Sequence, residues 1–219
     1  MAIPDALSRL TNFSLEGSAT KVQLMELGGS KSWYLPQALS SHFSPFFKAT
    51  LQDMADARSK ASIELHKFEP SAFATFVQWM YYGTYNSQYS FLRPDEIHHI
   101  DAWVLGDKLE VPVFQDLAMS HIFLLQTDPE NHRSLTTHTV LHVCTKTATN
   151  SPLRLLYLDV LAQNFADQAR VKGTLEEWDV ALQEYPDTRL SLLGSFRAQG
   201  SRVKSKEDYL VANGRLSSS

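Results

Sequence analysis

The chain has 219 residues, 43% of them hydrophobic and 11% aromatic, which is enough apolar material for a folded core and excludes a wholly disordered protein. Its formal net charge of −4, without a long basic run, argues against nucleic-acid binding. One cysteine, no recognisable signal peptide and no apolar run of membrane-spanning length lead us to expect a soluble intracellular protein with no membrane partner.

The N-terminal part of the sequence predicts an arm followed by a β-hairpin. Residues 1–17 carry only scattered apolar positions. Residues 21–27 have apolar side chains in both alternating sets, which favours a strand covered on both faces. Gly28 and Gly29 are typical of a tight turn, and residues 32–35 would form the returning strand. A phosphate-binding loop is the alternative interpretation, but the lysine and the following helix of such loops are missing.

A serine–proline pair predicts the start of the next helix. Ser44 can accept a hydrogen bond from a free first-turn amide, and Pro45 needs no amide hydrogen at the first helical position. We expect Phe46, Phe47 and Leu51 to supply the apolar bulk of this helix. Residues 52–58 are predicted to form a polar loop that contains Met54, and residues 62–65 a short strand.

A further helix is predicted from Pro70 to Gly83, which ends it. Its apolar stripe consists of Phe73, Phe76, Val77, Met80 and Tyr81. Beside the stripe lie the aromatic residues Trp79, Tyr82 and Tyr85. We expect these to form a second layer of the core, and a protein interface is the alternative.

Six more helices are predicted beyond residue 94. Their starting signals are the acidic pair Asp95-Glu96, Pro112, the pair Ser151-Pro152, and a capping box formed by Thr174 and Glu177. The helix after Ser151 is apolar nearly all round and should therefore be buried on both sides. The last helix would contain residues 190–196. From Ala198 onward the sequence is polar and serine-rich, and we expect it to be mobile.

Few residues have a spacing typical of catalytic or metal sites. His138 and His142 lie four apart on a predicted helix with Cys144 just beyond, so a zinc site would be conceivable if other ligands joined them. His98, His99 or His132 are conceivable further ligands, but nothing in the sequence fixes them in position. The alternative is a set of partly exposed histidines and a buried thiol that lacks the electropositive setting of a nucleophile. We expect no metal, cofactor or catalytic residue, and an enzyme is the rival class.

The order of these segments resembles the BTB/POZ domain. The resemblance rests on Leu39, residues 44–47, 63–65, Phe73 and residues 79–85, and it continues through residues 102–112. Residues 150–154 are similar to a stretch that follows the domain in many fungal members. The resemblance implies an α+β fold with a small sheet flanked by a cluster of helices and followed by a helical extension.

On this resemblance the chain divides into four parts: an N-terminal arm (1–17), a BTB/POZ-like domain (18–127), a helical extension (128–197) and a disordered tail (198–219). The family implies a protein–protein interaction module, not an enzyme. Such a module associates with itself or serves as an adaptor, and a cullin ubiquitin ligase is one alternative partner.

Cullin-binding members carry a hydrophobic-x-Glu motif between the second helix and the following strand. Met54 and Asp56 occupy the matching place and are the predicted partner-binding residues, with aspartate in place of glutamate. Two other departures concern residues that commonly contribute to dimer contacts in the family. Pro36 replaces a histidine, and residues 20–22 lack the usual aspartate. Both departures weigh against dimerisation.

Overall fold

The computed structural model describes residues 18–26, 29–57, 62–86, 95–130, 133–197 and 203–212. These ranges contain three strands, nine α-helices and a 3₁₀ helix at Lys206–Tyr209. The strands are β1 (Ala19–Glu26), β2 (Gly29–Pro36) and β3 (Ile63–His66). The helices are α1 (Gln37–Phe43), α2 (Pro45–Asp56), α3 (Pro70–Tyr82), α4 (Asp95–Lys108), α5 (Pro112–Thr127), α6 (Thr137–Lys146), α7 (Pro152–Asn164), α8 (Leu175–Gln183) and α9 (Pro186–Arg197). The α+β prediction is confirmed, and the predicted arm lies outside the described residues.

The sheet has the strand order β2-β1-β3, with β2 antiparallel and β3 parallel to β1. The predicted hairpin is confirmed, although Gly28 lies outside the described residues. On β1, Val22 and Leu24 are buried, whereas Met25 on the opposite face is 38% exposed. The prediction that β1 is covered on both faces is wrong, because the second face also carries the polar Lys21 and stays partly solvated, as antiparallel sheets allow.

Ser44 joins the start of α2 to a distant part of the chain. Its Oγ accepts the N–H of Phe47 at 3.2 Å, which is the predicted helix cap. The same hydroxyl donates to the carbonyl oxygen of Leu109 at 2.7 Å. Ser44 and Leu109 are both fully buried, so this one side chain satisfies a local and a long-range backbone group.

A cluster of aromatic rings forms the core beneath the sheet. Phe47, Phe73 and Phe76 are fully buried, and their ring centroids lie 6.1 to 6.5 Å apart. The Phe114 ring contacts that of Phe76 at 5.3 Å. Phe46 is only half-buried, so the two adjacent phenylalanines of α2 have different environments.

Helix α3 buries a slightly different stripe from the predicted one. Trp79 is only 3% exposed, in line with the expected second layer of the core. Val77 and Tyr81, which the periodicity assigned to the core, are half-buried. The helix is therefore rotated relative to the prediction, since the bulky Trp79 takes part of the buried face. Gly83 ends the helix in the left-handed conformation, with φ of 73°, as glycine permits.

Helix α4 is buried over almost its whole length. The apolar residues at positions 97, 100, 104 and 105 predict a single buried face, but every residue from 96 to 103 is buried. The imidazole Nε2 of His98 lies 2.8 Å from the hydroxyl of Thr75, and Nδ1 of His99 lies 2.8 Å from that of Tyr85. These hydrogen bonds allow polar side chains to be buried that the one-face prediction left outside.

The chain divides between Gln115 and Asp116 into two compact units. In the second unit, Ser151 caps α7, and Thr174 forms a capping box with Glu177 at the start of α8, both as predicted. Helix α7 is largely buried; its buried residues are Leu153, Arg154, Leu156, Tyr157, Leu158, Val160 and Leu161. The prediction of burial on both sides is only partly confirmed, because Leu155 is 40% exposed. The guanidinium of Arg154 donates to the carbonyl oxygens of Cys144 and Thr147, so its positive charge stabilises the C-terminal end of α6.

Helices α8 and α9 each bury some of their apolar residues and expose others. Trp178 and Leu182 are buried, but Leu175 is 69% exposed because it lies at the rim of an open cavity that Phe165 and Trp178 also line. In α9, Leu192 is buried while Leu193 is 56% exposed. Periodicity therefore identified these helices correctly but not which residues other elements cover.

The C-terminal segment differs from the predicted disordered tail. Residues 203–212 adopt a defined structure that includes the 3₁₀ helix, and Tyr209 is 1% exposed. Its hydroxyl donates to Asp159 Oδ2 at 2.7 Å. A buried tyrosine with a hydrogen-bond partner is an anchor that the polar composition of the segment does not reveal. The predicted boundary after residue 127 stays a prediction.

Candidate partner-binding surfaces

The predicted partner-binding residues, Met54 and Asp56, lie in the last turn of α2. The prediction of a polar loop over residues 52–58 is wrong up to Asp56, because the helix started by Ser44 continues through residues with good helix propensity. Met54 is half-buried and Asp56 is exposed. Residues two apart on a helix point in different directions, so the structure does not place the two side chains on one face.

An open groove lies between β2 and α3, with a volume of about 640 Å³. Its walls include Lys31 and Trp33 from β2 and Val77, Tyr81 and Tyr82 from α3. We call it the β2–α3 groove. Its lining is mostly apolar with a lysine at one side, a composition typical of sites that bind an apolar group and orient it by charge.

The groove is supported from below by buried residues. The Trp33 ring packs edge-on against Phe73 at a centroid distance of 4.9 Å, which anchors that wall to the aromatic core. His98 reaches the groove from α4, held by its hydrogen bond to Thr75, another lining residue. The lining therefore has a defined arrangement, as a preformed recognition site requires.

The aromatic residues around α3 divide between core and surface. Trp79 and Tyr85 are 3% and 5% exposed, and burial raises the pKa of the Tyr85 hydroxyl above its ordinary range. Tyr82 is 54% exposed, so the expectation that it belongs to a second layer of the core is wrong, and Tyr81 is half-buried in the groove wall. Sequence reasoning missed Lys31 and Trp33, because nothing local to β2 indicates that α3 will lie beside it.

The residues considered for metal or nucleophilic chemistry lie in ordinary structural settings. His138 and His142 stack at a ring-centroid distance of 6.4 Å on α6 and are at least partly accessible to solvent, as the second interpretation predicted. Burial raises the pKa of the Cys144 thiol, against the smaller opposing effects of Thr188 and Arg154, so the reactive thiolate is disfavoured. Within the described ranges, no group of three or more His, Cys, Asp or Glu residues could hold a metal ion. His132 lies outside those ranges.

Residues 30–123 match the sequence model of the BTB/POZ domain family. This part of the chain is a BTB/POZ domain. The match covers the strand β2, the helices α1 to α4, most of α5, both predicted partner-binding residues and the whole lining of the β2–α3 groove. No curated protein matches the chain.

The BTB/POZ domain supports a general function for the chain. This family consists of protein–protein interaction modules and is not an enzyme family, so the chain has protein partners. After the domain the structure is helical, from α6 to α9. Among the described residues, no helix combines the length and apolar character needed to cross a membrane.

Proposed function

We propose that this chain is an adaptor whose BTB/POZ domain holds a segment of another protein in the β2–α3 groove. The observation that carries the proposal is the gathering of Trp33, Tyr81 and Tyr82 around one open groove. Tryptophan and tyrosine are the commonest anchors of protein interfaces, because they bury a large apolar area and keep a polar group for orientation.

The position of β2 suggests how such a segment would bind. Among the described strands β2 lies at an edge of the sheet, and edge strands present backbone N–H and C=O groups that an added strand can pair with. Lys31 and Trp33 occupy alternate positions of β2 and both line the groove. An extended peptide beside β2 would therefore direct alternate side chains towards the groove, and Lys31 favours an acidic residue at one of them.

The test compares two exposed tyrosines. A partner is recovered from the native cell with the wild-type chain, and its affinity is then measured for Tyr82→Ala and Tyr34→Ala. Tyr82 lines the groove, while Tyr34 is 70% exposed and does not. Both substitutions should change stability by about 0.5 kcal/mol or less, as exposed positions do. Only Tyr82→Ala should weaken partner binding, by about 1–2 kcal/mol. Equal binding by the two variants would refute the groove as the partner site.

A cullin is the second candidate partner, and it rests on Met54 and Asp56. The exposed Asp56 is the last residue of α2, so its carboxylate lies where the helix ends, and Met54 in the same turn is partly exposed. In this version Met54 would enter an apolar groove of the cullin, and Asp56 would accept a hydrogen bond at the rim. Aspartate is one methylene shorter than the glutamate usual in cullin-binding members.

Calorimetry with a cullin N-terminal fragment tests this candidate. Met54→Ala should weaken binding by about 1–2 kcal/mol, as an interface anchor would. Asp56→Glu should keep or strengthen binding, because it restores the longer side chain. Titrations without detectable heat for both the wild type and Asp56→Glu would eliminate the cullin while leaving the groove proposal intact.

Self-association is the alternative to an adaptor role. Pro36 and residues 20–22 depart from the family at positions that commonly contribute to dimers. In this structure Thr20 is buried and accepts a hydrogen bond from Gln37 Nε2 at 2.8 Å, so it already has a partner within the chain. We expect a monomer in light scattering coupled to gel filtration. A stable dimer would favour self-association instead.

A further inference from the structure

The C-terminal segment 203–212 lies on residues of two helices, α5 and α7. The backbone N–H of Val203 donates to Gln163 Oε1 of α7 at 2.9 Å. The N–H groups of Val211 and Ala212 donate to the two carboxylate oxygens of Asp116 in α5, at 2.6 and 3.1 Å. Polar side chains of the helices thus hold the backbone of the segment at both of its ends.

Between these ends, a single side chain of the segment is deeply buried. Tyr209 is 1% exposed, its hydroxyl donates to Asp159 of α7, and its ring lies 6.2 Å from that of Phe123 in α5. Burial, with the Asp159 hydrogen bond, raises the pKa of the Tyr209 hydroxyl, which therefore remains a protonated donor at neutral pH. The neighbouring Asp208 is exposed. Short linear motifs bind in the same way, with one anchor side chain in a pocket and backbone hydrogen bonds on either side of it.

The segment also forms hydrogen bonds within itself. Ser205 Oγ donates to Asp208 Oδ2 at 2.8 Å, and the Ser205 amide donates to the same carboxylate at 3.1 Å. The N–H of Lys204 donates to the Tyr209 hydroxyl at 3.0 Å. These bonds close residues 204–209 into a turn that presents the tyrosine ring, which lowers the entropy cost of binding.

We propose that the surface formed by Asp116, Phe123, Asp159 and Gln163 is a peptide-binding site, which the chain's own residues 203–212 occupy as an internal ligand. We call it the tail site. When the segment leaves, the site takes a peptide of the same chemistry from a protein partner: a tyrosine after an acidic turn, followed by two residues with free amide hydrogens. The tail site shares no residue with the β2–α3 groove, so a test of one site does not decide the other.

Two features make exchange with an external peptide feasible. Helix α7 packs against α6 and α9, and Arg170 donates to the carbonyl oxygen of Gln126 near the end of α5 at 2.7 Å, so contacts other than those of the segment hold both helices. The segment is attached to the helices through one deeply buried side chain and the three backbone hydrogen bonds described above, so it can open locally without global unfolding. In the wild-type chain an external peptide competes with the internal segment, so its apparent affinity is its intrinsic affinity multiplied by the fraction of sites that are open.

The test measures binding of a fluorescent peptide with the sequence of residues 203–212 to the full-length chain by anisotropy. The Tyr209→Ala chain, whose own segment has lost its anchor, should bind the peptide about tenfold or more tightly than wild type. Adding Asp116→Asn to that chain should weaken binding, because a neutral amide accepts backbone N–H groups less strongly. Peptides carrying Tyr209→Phe or Val211→Pro should bind weakly, since each lacks one of the observed donors.

A second variant protects the test against misfolding. The Val211→Pro chain removes one amide from the internal segment and leaves Tyr209 and the helices unchanged, so it should also bind the peptide more tightly than wild type. Absence of peptide binding by both chains, with native circular dichroism, would overturn the proposal. So would equal binding of the wild-type, Tyr209→Phe and Val211→Pro peptides. A concentration-dependent dimer of the wild type that Tyr209→Ala abolishes would identify a second copy as the occupant and overturn the partner peptide.

Discussion

Ser44 and Ser151 occur in the same local sequence, a serine followed by proline at a helix start, but differ in one tertiary contact. Each accepts a first-turn N–H as a helix cap, from Phe47 and Arg154 at 3.2 Å in both cases. Only Ser44 also donates to a distant backbone carbonyl, that of Leu109. Replacing each serine by alanine therefore separates the contribution of the cap from that of the tertiary hydrogen bond.

The expected magnitudes follow from burial. Ser151→Ala removes a cap at a half-buried position and should lower the free energy of unfolding by about 1 kcal/mol. Ser44→Ala removes the cap and also leaves the buried Leu109 carbonyl without this donor, which adds about 1–3 kcal/mol. The Ser44 substitution should therefore cost about 2–4 kcal/mol in total.

Urea unfolding followed by circular dichroism measures both variants, with the slope of free energy against denaturant concentration as a check that each remains native. Ser44→Gly is a further control, because glycine preserves most of the capping preference and still loses the bond to Leu109. Its cost should approach the difference between the two alanine variants. If Ser44→Ala and Ser151→Ala destabilise equally, the tertiary hydrogen bond contributes nothing and the reasoning is refuted.

The remaining predictions concern the core, metal and pH. Phe47→Ala should lower the free energy of unfolding by about 3–5 kcal/mol, measured in thermal or urea unfolding, because the Phe47 ring is fully buried. Phe46→Ala should lower it clearly less, because Phe46 is half-buried. Equal losses for the two variants would contradict the core assignment of Phe47. If His138, His142 and Cys144 serve only structure, elemental analysis should find no stoichiometric zinc and chelator should leave the melting temperature unchanged. Burial lowers the pKa of His121, so stability should be complete above its unfolded pKa of about 6.5 and fall as pH drops through the lower folded value. His121→Gln should flatten that part of the pH profile, and an unchanged profile would contradict the assignment.

The partner residues show where sequence patterns stop being informative. Met54 and Asp56 were selected by their place relative to the family motif, and the sequence around them is polar enough to predict a loop. The helix that Ser44 starts continues through them instead. The β2–α3 groove lies in the same domain but joins residues more than forty positions apart, such as Trp33 and Tyr81, and no local pattern relates them.

Sequence alone determined the order of the elements and several of their boundaries. Ser44, Ser151, Thr174 and Gly83 each act through backbone groups within one turn, so their neighbours in the sequence contain all the information needed. The sequence also indicated the small sheet, and the many apolar residues of α7 predicted that this helix is largely buried. The order of these elements was also sufficient to indicate the BTB/POZ domain that the family match confirms.

Only the tertiary structure decided which polar residues are buried and which apolar residues remain exposed. His98 and His99 are buried because Thr75 and Tyr85 provide hydrogen-bond partners from other elements. The segment around Tyr209 is held in place because the Tyr209 hydroxyl donates a hydrogen bond to Asp159, which lies fifty residues earlier in the chain. Burial of a polar group depends on a partner that long-range packing supplies, and composition within a segment carries no information about that partner.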